Sequence, residues 1–334
     1  MPPSISVVMP VYNAGTFLKE SIDSILQQSF EDFEFFIIDD ASTDNSAELI
    51  KSYTDKRIRF IEKPVNTGYT DSLNMAISLS RGKYIARMDA DDISEQQRFL
   101  QQFQYMENNP AVLVLGTAYK IIGTDEMVQL PLSYEEAKVV SIMHVPVAHP
   151  TVMMRKEIFT RYQLLYNKKY EPAEDYDLWT KVLEIGKIEN LQKPLLYYRR
   201  HSAQQSILRY ETLLQAAVEI RLRQLNKLII FTGKSYDVLF AIATLSKQAV
   251  LVNGDSMQKL VLLLSDMMNA NILKKVYDTT LLNTYLRERW LFHLLKFAKP
   301  AVKDIRLLRT MQRSAVTRMS PLFCLNYLVK CIWF

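Results

Sequence analysis

Residues 5–44 read ISVVMPVYNAGTFLKESIDSILQQSFEDFEFFIIDDASTD, and their alternation decides the fold class. The apolar run Ile5 to Met9 has strand length. Leu18, Ile22, Ile25 and Leu26 then follow at the i, i+4, i+7, i+8 spacing that lays an apolar stripe along one helix face. A second apolar run, Phe33 to Ile38, comes next. Strand, covering helix and strand in succession is the unit of a mostly parallel sheet. The same rhythm continues outward, with strands expected at Ile58 to Glu62, Lys83 to Met88 and Ala111 to Leu115. Helices are expected after Asp44, from Thr70, and from Ser94-Glu95-Gln96-Gln97, which reads as a capping box. Beyond residue 116 the rhythm is irregular, with short strands at Ala118 to Ile122, Thr151 to Met154 and Leu195 to Arg199 and a helix at Asp175 to Glu184. From about residue 207 long helical patterns run to the end, so the boundary is expected between 1–206 and 207–334.

Composition narrows the class. The 334 residues are 49% apolar and 23% charged with only 8 Gly and 12 Pro, a globular profile with room for about two domains. The two cysteines, Cys324 and Cys331, are too few for a disulfide scaffold and point to a reducing compartment; with four scattered histidines they make no zinc cluster. The net charge of +5 is unevenly spread: residues 286–334 hold ten Lys and Arg against Glu288 and Asp304, a local +8 that leaves about −3 elsewhere. Such an end favours an anionic surface. No run reaches the ~20 apolar residues that span a bilayer, and Pro10 breaks the first apolar run, so no secretory signal is read. The expected location is the cytoplasm, with the basic end at the inner face of the cell membrane.

Acidic residues recur where parallel strands should end. Asp39-Asp40-Ala41-Ser42-Thr43-Asp44 follows one strand and Asp89-Ala90-Asp91-Asp92 another, so both should face the crevice outside the carboxyl ends of an open sheet. Asp44 is equally explained as a turn or helix cap. Asp39 and Asp40 are adjacent carboxylates that need something to neutralise or hydrogen-bond to them, a nucleobase N–H being one candidate. Asp89, Asp91 and Asp92 repel one another unless a hard divalent cation, Mg²⁺ or Mn²⁺, sits among them. The spacing excludes an EF-hand, for neither its glycine nor its terminal Glu is present. Glu174-Asp175-Tyr176-Asp177 opens a helix, where acidic residues suit the macrodipole, or supplies a general base. Tyr12 is placed to stack on a base or is an ordinary loop tyrosine; Tyr197-Tyr198-Arg199-Arg200-His201 offers cations and an imidazole to a diphosphate or is a basic edge strand.

Taken together, VVMPVYN at 7–13, IDDASTD at 38–44, ARMDADDIS at 86–94, AEDYDLW at 173–179 and YYRRHSAQQS at 197–206 resemble the inverting family-two glycosyltransferases of the GT-A fold. The resemblance covers about residues 4–206. It implies an α/β, Rossmann-like fold, a mostly parallel sheet flanked by helices, with a mainly α-helical C-terminal region outside it. It also implies a nucleotide-sugar donor, most often a UDP-sugar, and a saccharide or lipid-linked saccharide acceptor. By position, Pro10 and Tyr12 would line the base pocket, Asp40 would accept the base N–H, and Asn66 would lie in a donor-side loop. Asp89 would lie near the ribose, Asp91 would hold Mn²⁺ or Mg²⁺ on the diphosphate, His201 would reach that metal, and Asp175 would be the base. The Gln-x-x-Arg-Trp motif of processive members is absent, so a non-processive enzyme of surface polysaccharide or glycolipid assembly is expected. The rival readings are a non-catalytic nucleotide-sugar binding protein and a sugar nucleotidyltransferase; the latter needs a Gly-rich basic loop where PVYNAGTFLK stands. The basic end alone hints at nucleic acid, and no such partner is expected.

Overall fold

The structure, a computed structural model, describes residues 2–202, 204–229 and 254–287. Both cysteines and the basic stretch from residue 288 onward lie outside these residues. In chain order the elements are β1 (Ile5–Val11), α1 (Gly15–Leu26), β2 (Phe33–Asp39), α2 (Ser46–Lys51), β3 (Ile58–Glu62), α3 (Tyr69–Leu79), β4 (Tyr84–Arg87), β5 (Ile93–Ser94) and α4 (Arg98–Asn108). Then come β6 (Val112–Ile121), β7 (Met127–Val128), α5 (Tyr134–Val140), a 3₁₀ turn (His149–Thr151), β8 (Met153–Arg155), α6 (Glu157–Thr160) and a second 3₁₀ turn (Lys168–Tyr170). The chain continues with α7 (Glu174–Ile185), β9 (Lys187–Tyr198), α8 (Gln205–Leu208), α9 (Tyr210–Leu225), α10 (Gly254–Lys274) and α11 (Thr279–Tyr285).

One nine-stranded sheet has the order β3-β2-β1-β4-β8-β6-β9-β5, with β7 on β6. β1, β2, β3 and β4 pair in parallel, as do β6 and β9. β8 runs antiparallel between β4 and β6. The sheet is therefore mostly parallel, as the alternation required. In β1, Val7 and Met9 join one core while Val8 joins the other; in β2, Phe35 and Ile37 oppose Phe36 and Ile38 in the same way. Consecutive rather than alternating apolar residues are what a strand buried on both faces needs. Leu18, Ile22 and Ile25 of α1 cover the first face, and Leu73, Ala76 and Ile77 of α3 the second. The chain moves outward from β1 to β3 and returns to β4 on β1's other side. That reversal opens a crevice at the carboxyl ends of β1, β2 and β4.

Two local expectations change. The pieces read at 111–115 and 118–122 are one strand, β6, whose pairing with β9 is irregular around Thr117 and Ala118. The capping box does not form: Ser94 lies in β5, opposite Leu196 of β9, and its hydroxyl accepts from Gln28 Nε2 at 3.1 Å. Helix α4 starts at Arg98 with Gln97 at its N-cap and no side-chain cap. The tertiary pairing of β5 with β9 takes the residues that local chemistry offered to the helix.

The described residues form two compact units, 2–137 with 144–216 and 138–143 with 217–287, the division passing through α5 and α9. The second unit is helical. Within it the Asn271 amide exchanges hydrogen bonds with the Tyr277 backbone at 3.0 and 2.9 Å, closing the end of α10. Among the described residues no helix is long and apolar enough to cross a membrane.

Candidate active site

The loops after β1 and β2 are stitched together by short polar side chains. Asn13 sits at φ 51°, a region Asn tolerates, and its Oδ1 accepts from Thr43 N at 2.8 Å while its own N–H donates to Ser42 Oγ at 2.9 Å. Asp44 accepts from Gly15 N and Ser46 N, each at 3.0 Å, so it anchors the starts of α1 and α2. Pro10 is partly buried in β1 opposite Ile38, and Tyr12 stands 48% exposed just beyond.

Asp39 and Asp40 are satisfied by the chain itself. Asp39 accepts from Ser42 N at 3.1 Å and from the Ser42 hydroxyl. Asp40, 2% exposed, pairs with Lys63 and accepts from Thr67 N at 3.0 Å and Gly68 N at 2.8 Å. Lys63 Nζ also reaches Thr67 and Ser72 Oγ. The repulsion that called for a neutralising partner is thus met by a lysine just after β3, which sequence reasoning passed over. Asn66 is exposed and its Oδ1 shares the Gly68 N–H at 3.1 Å. Gly68 has φ 95°, and a Cβ there would lie 3.1 Å from Glu171 Oε2, so the tight turn into α3 needs glycine. Because Lys63 and Asp40 are both buried, Lys63→Met leaves an unpaired carboxylate inside. A loss of about 3–5 kcal/mol in urea unfolding is expected.

The loop after β4 gathers charge. Ligand atoms of Asp89, Asp91 and Asp92 lie within 4.8 Å of one another. Asp89 pairs with the buried Arg87. Asp91 Oδ2 lies 2.8 Å from His201 Nε2. Asp92, fully buried, accepts from Arg199 N at 2.9 Å with one oxygen, while the other has no partner. Burial, opposed by Arg87 at Asp89 and reinforced by the neighbouring carboxylates, raises the pKa of Asp89 and, further, that of Asp92. Beneath them Arg98 is fully buried, donates to Arg87 O at 2.8 Å, and has its pKa pushed down to about 9 by burial and by Arg87. The β5–β9 pairing brings Arg199 and His201 here. The guanidinium of Arg199 lies 4.4 Å over the Phe17 ring, and His201 packs 5.2 Å from the same ring.

A hard divalent cation fits this donor set. Three carboxylates and one imidazole nitrogen suit Mn²⁺ or Mg²⁺. The unpartnered, buried oxygen of Asp92 and the raised pKa values mark an arrangement that added positive charge would relieve.

Helix α7 presents the third acidic group. Asp175 is partly exposed, accepts from Tyr176 N at 2.7 Å, and has its pKa raised to about 6, chiefly by burial. It feels both Arg87 and Asp89, so α7 and the acidic loop face the same end of the sheet. Glu174, 2% exposed, accepts from Tyr69 OH at 2.6 Å and has its pKa raised to about 8 by burial and by Asp175. Asp177 instead pairs with Lys181 at 2.6 Å, a structural i,i+4 contact. Arg87, Arg98, His149 and Tyr69 are parts of this neighbourhood that sequence reasoning missed. For Arg87 the signal was a charge in the otherwise apolar strand β4; Tyr69 and Arg98 begin helices and His149 begins a 3₁₀ turn, where polar residues are ordinary.

A doubly wound sheet carrying an acidic loop, an imidazole and a helix-borne carboxylate at its carboxyl edge defines a GT-A architecture. The chain belongs to glycosyl transferase family 2, whose family model matches residues 6–163. It is 33% identical over 218 residues to an uncharacterized glycosyltransferase of Haemophilus influenzae, covering 61% of this chain and 68% of that protein. It is 35% identical over 217 residues to the O-antigen biosynthesis glycosyltransferase WbnJ of Escherichia coli, covering 62% and 84%. Among solved structures, S. aureus TarS 1-349 in complex with UDP-GlcNAc matches with a TM-score of 0.59 at 17% identity over 85% of this chain and 91% of that one. The mannosyltransferase PcManGT of Pyrobaculum calidifontis, in complex with GDP-Man and Mn²⁺, matches with a TM-score of 0.53 at 16% identity over 100% and 88%. The protein is a glycosyltransferase.

Proposed function

We propose that this enzyme transfers a sugar from a UDP-sugar to an acceptor hydroxyl with inversion at the anomeric carbon, in the assembly of a surface polysaccharide or glycolipid. Residues 1–206 form the catalytic part and 207–334 a second part, whose basic end, outside the described residues, meets an anionic membrane at its cytoplasmic face. The reading is carried by one observation: the Asp89, Asp91 and Asp92 carboxylates gather within 4.8 Å of one another after β4 with His201 against Asp91, and α7 offers Asp175, its pKa raised to about 6 by burial. A carboxylate of that basicity, partly exposed, suits removal of a hydroxyl proton near neutral pH.

In the reaction the acceptor oxygen attacks the anomeric carbon from the face opposite the leaving nucleoside diphosphate. One C–O bond forms as the other breaks, and the acceptor's proton goes to Asp175. Pro10, Tyr12 and Asn66 border the nucleoside and Asp89 lies near the ribose, while Asp40, expected to meet the base N–H, is taken up by Lys63 and the Thr67 and Gly68 amides and serves to hold the loop under the base. Mn²⁺ or Mg²⁺, held by Asp91 and His201 beside Asp89 and Asp92, would neutralise charge on the diphosphate. Arg87 keeps Asp89 in place. The UDP-GlcNAc bound by TarS and the O-antigen assignment of WbnJ support the donor and acceptor classes.

The test is a panel of nucleotide-sugars with and without Mn²⁺, read by thermal unfolding and by release of nucleoside diphosphate. A ligand at 100 times its Kd stabilises the native state by about 2.7 kcal/mol, so a UDP-sugar should raise the melting temperature by several degrees in a Mn²⁺-dependent way. Stabilisation with no release on any acceptor would favour a binding protein; no stabilisation by any member would overturn the reading.

A further inference from the structure

The acidic loop leaves the sheet at a point where one backbone ladder breaks off. Val152 O still accepts from Arg87 N at 3.1 Å, but the Val152 N–H turns back to His149 O at 3.4 Å, closing the 3₁₀ turn. The return bond from Val152 N to Arg87 O is therefore not made, and the carbonyl at the root of the loop loses its ladder partner. Arg98 of α4 takes that place. Its Nη2 donates to Arg87 O at 2.8 Å and to Val152 O at 3.3 Å, its Nη1 to Met88 Sδ at 3.6 Å, and its Nε to Gln102 Oε1 at 3.2 Å. One turn along α4, Gln102 Nε2 donates to Leu115 O of β6 at 2.8 Å and to Thr151 O at 2.9 Å. Two side chains of one helix thus hold four carbonyls where β4, β6 and the 3₁₀ turn diverge.

Each of these Arg98 bonds ends on a neutral group, and the side chain is fully buried. A buried cation touching no anion is unfavourable, and an apolar side chain of similar length is often as stable in such a place. What Arg98 serves is the loop. The carboxylates that act on its charge are Asp92 and Asp89, and Arg87, whose carbonyl it holds, pairs through its own side chain with Asp89. Farther along, Asp91 O accepts from Arg199 Nε at 2.8 Å and Asp92 O from Ser21 Oγ of α1 at 2.7 Å. The loop is thus held at its far end by β9 and α1, and at its root by α4. We infer that Arg98, braced by Gln102, is a positioning residue that fixes the root of the acidic loop and thereby sets how tightly Asp89, Asp91 and Asp92 take a divalent cation. The inference rests on the reading of those carboxylates as the surroundings of a metal.

Arg98→Lys keeps the charge and the apolar stem, but one ammonium cannot reach Gln102, Arg87 O and Val152 O together. Arg155→Lys is the matched control. Arg155 is also buried, and its bonds go to the carbonyls of Met106, Asn109 and Val112 and to Tyr84 OH, at the opposite end of β4. The full chain is titrated with Mn²⁺ in the presence of UDP, and free Mn²⁺ is read by electron paramagnetic resonance. Affinity should fall about 10–100-fold in Arg98→Lys, the range for residues that orient metal ligands, and stay within about twofold of wild type in Arg155→Lys. Gln102→Met, which unties Arg98 Nε and two carbonyls without adding charge, should lower it in the same direction. A second readout needs no metal. In hydrogen exchange of the metal-free proteins, the Arg87 and Met88 amides, bonded to Val152 O and Val8 O, should exchange faster in Arg98→Lys and Gln102→Met than in Arg155→Lys, by about tenfold. A loss of stability alone would move all three variants together. Equal exchange in the three, or Mn²⁺ affinity in Arg98→Lys and Gln102→Met equal to wild type, would overturn the inference. A wild type with no affinity for Mn²⁺ would overturn the metal reading instead, and the exchange comparison would still decide what Arg98 holds.

Discussion

Asp175→Asn is expected to bind the donor as the wild type does and to turn over about 10²–10⁴-fold more slowly, the range a general base contributes. The amide oxygen can still accept from Tyr176 N as the carboxylate does, so fold and donor site should be preserved. What it cannot do is accept the acceptor's proton. Donor affinity from Mn²⁺-dependent thermal shifts, set beside steady-state release of nucleoside diphosphate, separates the two effects: kcat falls while the donor Kd holds. The wild-type profile should show the same group. With a pKa near 6, Asp175 is ionised above that pH and active; below it the rate should fall tenfold per unit as the base becomes protonated. Turnover in Asp175→Asn equal to wild type would remove Asp175 from the chemistry.

Asp91→Ala is expected to abolish the Mn²⁺-dependent part of donor binding. Asp91 is the carboxylate of the loop that faces His201 rather than an arginine, so its loss takes both a ligand and the contact that orients the imidazole. Calorimetry with a UDP-sugar in Mn²⁺ and in EDTA should give two different affinities for the wild type and one, the weaker, for the variant. The metal-free protein should behave oppositely. Removing one of three mutually repelling carboxylates relieves Asp89 and Asp92, whose pKa values its charge helps to raise. Asp91→Ala without metal should therefore unfold at the same or a higher temperature than the wild type. A variant that retains Mn²⁺-dependent donor binding would move the metal off Asp91.

The sheet was legible because its signal is local. Consecutive apolar residues in Ile5–Met9 and Phe33–Ile38 marked strands covered on both sides, and the structure extends them by only a residue or two, to Val11 and Asp39. The short strand read at Thr151 to Met154 is β8, but its insertion antiparallel between β4 and β6 was not legible, since pairing partners are chosen only by the fold. Ser94 misled for a related reason: a capping box is a local preference, and pairing with Leu196 outweighed it. In the site, the acidic clusters stood out by self-repulsion. Their partners did not, because Lys63, Arg87 and Arg98 look unremarkable until the fold removes water from around them.

Order and type of the elements, the strand ends that carry carboxylates, and family membership were thus set by residues acting on near neighbours along the chain, where periods of 2 and 3.6 leave a readable trace. Which charges meet was settled only by the fold. Asp91 and His201 are 110 positions apart, Tyr69 and Glu174 105. Contacts of that separation exist only after the sheet has formed, and it is burial at those contacts that raises the pKa values of Glu174 and Asp175.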